Sequence, residues 1–174
     1  MDLYQKFELL RHSTKKECKV KQLTKNQSDP LFCFVLEFLL NTDKRTGIST
    51  KKLEKEIADK IEYQEIDSIE ELINYVLKNN TGKDEVVKTV QQFLMNIENP
   101  AFKNFVQDII TKKYKCGVTA KVASEIIPDV IKKEHQVMLA NKFKGEIKDP
   151  VQITLKLDGI RCSALIDENN KQAD

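Results

Sequence analysis

Asp29-Pro30-Leu31-Phe32-Cys33-Phe34-Val35-Leu36-Glu37-Phe38-Leu39-Leu40 is the stretch that decides the fold. Aspartate caps a helix well, because its side chain accepts from the first free backbone N–H groups. Proline suits the first helical position, where its missing N–H would be unpaired anyway. The run is apolar on nearly every side (Leu31, Phe32, Phe34, Val35, Phe38, Leu39), so this helix is expected at the buried centre of a helical domain. It is too short to span a membrane and carries Glu37.

Working outward, the same helical punctuation recurs. Leu3, Phe7 and Leu10 predict a helix over about 2–11, and Thr14 with Glu17 three residues on reads as a capping box for the next. After a polar loop containing Gly47, Ser49 is expected to cap a charged helix through Leu53, Ile57 and Ile61. Asp67 is expected to cap another, with Ile69, Leu72, Ile73, Val76 and Leu77 on one face, ended by Thr81-Gly82. Val86 to Ile97 makes a further helix, and Asn99-Pro100 opens one through Phe102, Phe105, Val106, Ile109 and Ile110. Gly117 interrupts the pattern, and Thr119 caps a short helix ended by Pro128. The core is expected to include Phe32, Phe34, Phe38, Leu72, Phe93 and Phe105.

The chain has 174 residues, of which 40% are hydrophobic and 32% charged, enough for a real core under a well-solvated surface. No stretch reads as a signal peptide or membrane helix. Cys18, Cys33, Cys116 and Cys162 lack metal-ligand spacing, and His12 and His135 stand alone. Reduced thiols and no zinc site are therefore expected, with a cytoplasmic location. The net charge of +2 is unevenly spread. Arg11, Lys15, Lys16, Lys19, Lys21 and Lys25 form one basic stretch; Lys103, Lys112, Lys113, Lys115 and Lys121 form another. An acidic stretch from Glu54 to Glu71 lies between them. This describes either one face for an anionic partner or ordinary solvated helix surfaces.

The character changes after Pro128. Val151 to Leu157 and Ile160 to Ile166 alternate strictly and are joined by Asp158-Gly159, a strong hairpin signal. The expected organisation is a helical domain over 1–130 and the start of a β-containing domain over 131–174. In a two-residue turn, Lys156 faces Arg161 on the polar side of the hairpin. Like charges across a strand pair repel, and a neighbouring cation lowers a lysine's pKa, which favours the neutral, nucleophilic amine. The same pair also reads as two exposed, splayed side chains.

Lys156-Leu157-Asp158-Gly159-Ile160-Arg161 resembles the K-x-D-G-x-R signature of covalent nucleotidyltransferases: ATP-dependent DNA ligases, RNA ligases and mRNA capping enzymes. Upstream, Lys115-Cys116-Gly117-Val118-Thr119-Ala120-Lys121-Val122, then Ile127-Pro128, then Met138-Leu139-Ala140, is similar to the corresponding run of bacteriophage- and bacterial-type DNA ligases. The resemblance is specific from about Phe102 to Ile166.

It implies a mainly α chain: an all-helical DNA-binding domain, then a β-hairpin that begins an α+β nucleotidyltransferase domain. It also implies that Lys156 attacks the α-phosphate of ATP and carries AMP, and that Arg161 contacts nucleotide or nick phosphate. Thr154 and Leu155 would lie against the adenine, with Asp158 and Gly159 shaping the turn. Thr154 stands where many members carry an acidic residue, so only the backbone contact carries over there.

The implied partners are ATP, Mg2+ and nicked duplex DNA, with no membrane and no obligate protein partner. Lys112, Lys113, Lys115, Gly117, Thr119 and Lys121 would contact DNA, or form a plain helix–helix turn. The family's metal ligands lie beyond this hairpin, so the 174-residue chain is expected to bind DNA yet be catalytically incomplete alone. The alternative is a non-catalytic helical DNA-binding module.

Overall fold

In the computed structural model, residues 2–58, 60–128 and 130 are described, and all belong to one unit, Met1–Lys132, of the two into which the chain divides. The expected hairpin, with Thr154, Leu155, Lys156, Asp158, Gly159 and Arg161, lies outside the described residues. So does the proposed boundary at 130/131 for all but Val130.

The described part contains eight α-helices and no strand: α1 (Leu3–His12), α2 (Lys16–Asn26), α3 (Pro30–Leu40), α4 (Thr50–Leu53), α5 (Ile69–Lys78), α6 (Asp84–Met95), α7 (Pro100–Ile110) and α8 (Ala120–Ile126). No helix among the described residues is long and apolar enough to cross a membrane.

α3 is central, as its composition predicts. Asp29 accepts from the N–H groups of Leu31 (3.0 Å) and Phe32 (3.2 Å), and Pro30 begins the helix. Phe32, Val35, Leu36 and Phe38 are fully buried, and α3 packs on both α1 and α5. Of the expected core, Phe32, Phe38, Leu72 and Phe105 are buried, while Phe34 and Phe93 are only half-buried at its margin. Asn99 caps α7 as Asp29 caps α3, accepting from Ala101 N–H at 2.9 Å and Phe102 N–H at 3.2 Å.

Three local expectations fail, each for a physical reason. α2 begins after Lys15, in extended backbone, so Thr14 lies one residue too early to cap it and no side chain does. α5 is capped by Ser68, whose hydroxyl accepts from Glu71 N–H at 3.1 Å. Asp67 instead donates its backbone N–H to the Glu71 carboxylate at 3.4 Å. Ser49 does cap α4, but that helix ends at Leu53. The side-chain amide of Gln91 donates to the carbonyls of Leu53 and Lys55, both at 2.9 Å. Those acceptors would otherwise serve the next helical turn.

Asp29 also pairs with Lys6 of α1, and that hydrogen bond holds its carboxyl pKa below the ordinary 3.8. A lowered carboxylate pKa contributes stability that is present above the unfolded value and lost as pH falls through the folded one. Asp29→Ala is expected to cost about 1–2 kcal/mol in urea unfolding at neutral pH. The gap from the parent chain should close in strong acid; a cost unchanged there would show that the ionised carboxylate is not its source.

Candidate nucleic-acid interface

The lysine-bearing segment after α7 is built by a reversal of the backbone. Lys113 N–H donates to Asp108 O at 2.8 Å and Lys112 N–H to Ile109 O at 3.0 Å, the paired bonds of a Schellman turn. The left-handed position of that turn, usually glycine, is Lys112, with φ of +57°. From there the Lys112 side chain runs back to the end of α3. Its Nζ donates to Phe38 O, and to Asn41 O at 3.0 Å, above the Phe38 ring at 3.9 Å from the centroid. It is thus a cation at a helix C-terminus, where unpaired carbonyls concentrate negative charge. Burial pushes its pKa down to about 8; Glu37 opposes that shift and Lys44 adds to it.

Beyond this turn the chain crosses α1. Tyr114 is buried and its hydroxyl donates to Glu8 at 3.0 Å, while Arg11 lies over its ring at 5.5 Å. Gly117 has φ of +77°, and a Cβ there would touch the backbone of Arg11 at 3.4 Å. Its carbonyl accepts from Lys19 Nζ at 2.5 Å. One hydrogen bond therefore joins the two basic stretches, 98 residues apart in sequence. Lys15, Lys16 and Lys19 fall within one turn of α2, and Lys15, Lys16, Lys113, Lys115 and Lys121 are exposed. Thr119 caps α8, accepting from Val122 N–H at 3.4 Å. One nearby carboxylate offsets the charge: Glu8 lies 3.6 Å from Arg11 and 3.2 Å from His12.

Of the expected DNA-contacting residues, Lys115, Gly117, Thr119 and Lys121 thus lie on the segment that meets Lys19. Lys112 turns away from it to α3, and Lys103 of α7 lines a different cleft with Lys55 and Lys88. In sequence Arg11 and Lys19 belong to a separate stretch; the packing of α2 on both α1 and α8 brings them to Gly117. Among the described residues no cluster of three or more His, Cys, Asp or Glu side chains is placed to hold a metal ion.

The lowered pKa of Lys112 has a definite sign. Above about pH 8 the unfolded chain holds this proton more tightly than the folded one, so stability rises with pH. Cys33 and Cys116, both raised above 9.0 by burial, and Tyr114, raised above 10.0, act in the opposite direction higher up. Lys112→Met leaves the Phe38 and Asn41 carbonyls without this donor and should cost about 1–3 kcal/mol at neutral pH. Between about pH 8 and 9 the parent chain should gain stability relative to the variant. Parallel pH–stability curves would show that Lys112 stays fully charged.

Set against these geometric facts, comparison with family models, curated proteins and solved structures finds no match to the chain.

Proposed function

We propose that the chain is the N-terminal part of an ATP-dependent DNA ligase of bacteriophage or bacterial type, whose helical unit grips duplex DNA around a nick. Two features support the reading. The Lys156-Leu157-Asp158-Gly159-Ile160-Arg161 motif supports the enzymatic half. The observation that carries the DNA-binding half is the Lys19–Gly117 hydrogen bond, which brings Lys19 of one basic stretch to the turn between Lys115 and Lys121 of the other.

In this proposal Lys156 attacks the α-phosphate of ATP, pyrophosphate leaves, and AMP is held through a phosphoramide bond. The AMP passes to the 5′-phosphate of the nick, and the 3′-hydroxyl then attacks that phosphate and expels AMP. Mg2+ would neutralise charge on the transferring phosphates. The helical unit contributes position: lysines contact phosphates on either side of the nick without reading bases. α8 has only seven residues and Thr119 already satisfies one of its free N–H groups, so the lysines carry the electrostatic attraction.

A non-catalytic DNA-binding module is the second reading. The gathering of cations on the helical unit favours it too, since that needs nothing from Lys156.

Two measurements separate these readings. The intact protein, incubated with ATP labelled at the α-phosphate and Mg2+, should acquire label that is absent from Lys156→Ala. No label on the parent protein leaves the binding module. Separately, affinity for nicked and intact duplexes should fall steeply with salt and depend little on sequence. Lys19→Gln and Lys115→Gln should each flatten the log–log salt slope by about 0.9. Salt-insensitive binding, or slopes unchanged by both substitutions, would refute a phosphate grip at Gly117.

A further inference from the structure

A second cationic site lies at the other end of the α7–α8 connection. The loop after α3 and the end of α7 enclose a cleft of about 510 Å³ whose lining includes Lys44, Arg45, Lys52 and Lys112 but no aspartate or glutamate. Thr46 fixes its floor. That side chain is buried, donates to Ile110 O at 2.8 Å and accepts from Ile48 N–H at 3.3 Å. Gly47, at φ of +67°, lets the loop lie directly on the 80–82 turn, where a Cβ would overlap the Asn80 carbonyl.

The four cations are unequally neutralised. Lys44 pairs with Glu37 at 2.6 Å. Lys52 and Lys112 bond only to backbone carbonyls, Lys52 to Gly47 O at 3.0 Å. Arg45 is exposed and makes no hydrogen bond or ion pair among the described residues. Among the described residues Arg45, Lys52 and Lys112 thus have no salt-bridging carboxylate, and Glu37, whose charge acts on Lys112, is already paired with Lys44. Such a field attracts a compact anion, and arginine's planar fork matches phosphate oxygens.

We propose that this cleft is a phosphate-binding site, seating one phosphate group of a larger anion among Lys44, Arg45, Lys52 and Lys112. The site supplies two kinds of donor: the exposed fork of Arg45 and ammonium groups held in place by the fold. An anion here would also offset the burial of the Lys112 ammonium, which faces Glu37 and Lys44 and is already partly destabilised. Lys112 and Gly117 are five residues apart, at most about 17 Å along the chain. A duplex rising about 3.4 Å per base pair covers that span in a few pairs, so one duplex could reach both sites. Where the phosphate belongs to DNA, this inference rests on the proposed DNA-binding reading; the same chemistry also fits the phosphates of a free nucleotide.

The test uses the full chain, with inorganic pyrophosphate, ATP and a duplex of arbitrary sequence as probes, followed by calorimetry near pH 8. Arg45→Gln is the first variant, because Arg45 has no partner to lose among the described residues and their folding should be unaffected; Lys52→Gln is the second. Pyrophosphate should bind the parent chain. Each substitution should weaken pyrophosphate binding at least fivefold, with the melting temperature unchanged for Arg45→Gln.

If Arg45→Gln also lowers the duplex salt slope by about 0.9, the phosphate is that of the DNA backbone. If it leaves duplex binding alone but weakens ATP binding, the phosphate is that of a nucleotide. No pyrophosphate binding by the parent chain, or equal binding by the Arg45→Gln, Lys52→Gln double variant, overturns the site. Lys19→Gln should leave pyrophosphate binding intact. A duplex indifferent to Lys19 and Lys115 would defeat the Gly117 grip without touching this one.

Discussion

Phe7 meets Phe32 at 4.8 Å and Phe105 at 5.6 Å between ring centroids, and Tyr114 closes edge-on against Phe105 at 5.0 Å. This aromatic contact is the constraint on which the rest of the helical unit depends. It draws on four places in the chain: α1, α3, α7 and the segment after α7. Each ring is fully or almost fully buried, and truncating a buried phenylalanine typically costs about 3–5 kcal/mol. Because Tyr114 is held against α1, the next residues must cross the end of that helix. Gly117 consequently meets the backbone of Arg11, and Lys19 of the adjoining helix finds its carbonyl. The surface charge pattern follows from the core packing.

Much of the helical unit was legible because its signals are local. Asp29-Pro30 and Asn99-Pro100 place a capping side chain and a preset φ next to each other, and both helices start where those pairs say. The apolar spacing of Ile69, Leu72, Ile73 and Val76 likewise marks a face that is indeed buried. The misplaced boundaries are those where competing residues adjoin. Asp67 and Ser68 are both good caps, and the backbone geometry at Ser68 decides. The short α4 was illegible for a different reason: its end is imposed by Gln91, which is 38 residues from Leu53 in sequence. No local window contains that information.

The candidate site was legible in its residue types more than in its grouping. A run of lysines after α7 reads as one basic patch, yet Lys112 and Lys115 serve different surroundings. The difference comes from a left-handed turn at Lys112, where a side chain replaces the usual glycine and the strain is about 1–2 kcal/mol. The bonds from its ammonium group to Phe38 O and Asn41 O, together with the Phe38 ring beneath it, offset that strain. Sequence spacing marks the ends of helices; it does not say that a lysine past one helix will cap another. The adenylation motif is the opposite case, since Lys156 to Arg161 is legible by resemblance alone and lies outside the described residues.

Net charge is a poor guide to what such a surface does. The total of +2 arises from 29 basic and 27 acidic residues, which would suit a protein indifferent to anions. What matters is which cations have already been neutralised by the fold. Lys6 and Lys44 are paired with Asp29 and Glu37, and Lys55 with Asp84 at 2.9 Å. Arg11 shares Glu8 with His12. Lys19 and Lys52, by contrast, donate to carbonyls, which fixes their position while leaving the full charge and two further donors for another acceptor. A lysine held by a carbonyl loses its side-chain entropy on folding, so less remains to be lost when an anion arrives. Carbonyl-held cations are therefore better placed to bind a phosphate than carboxylate-paired ones: Lys19 at the Gly117 turn, and Lys52 and Lys112 in the cleft after α3.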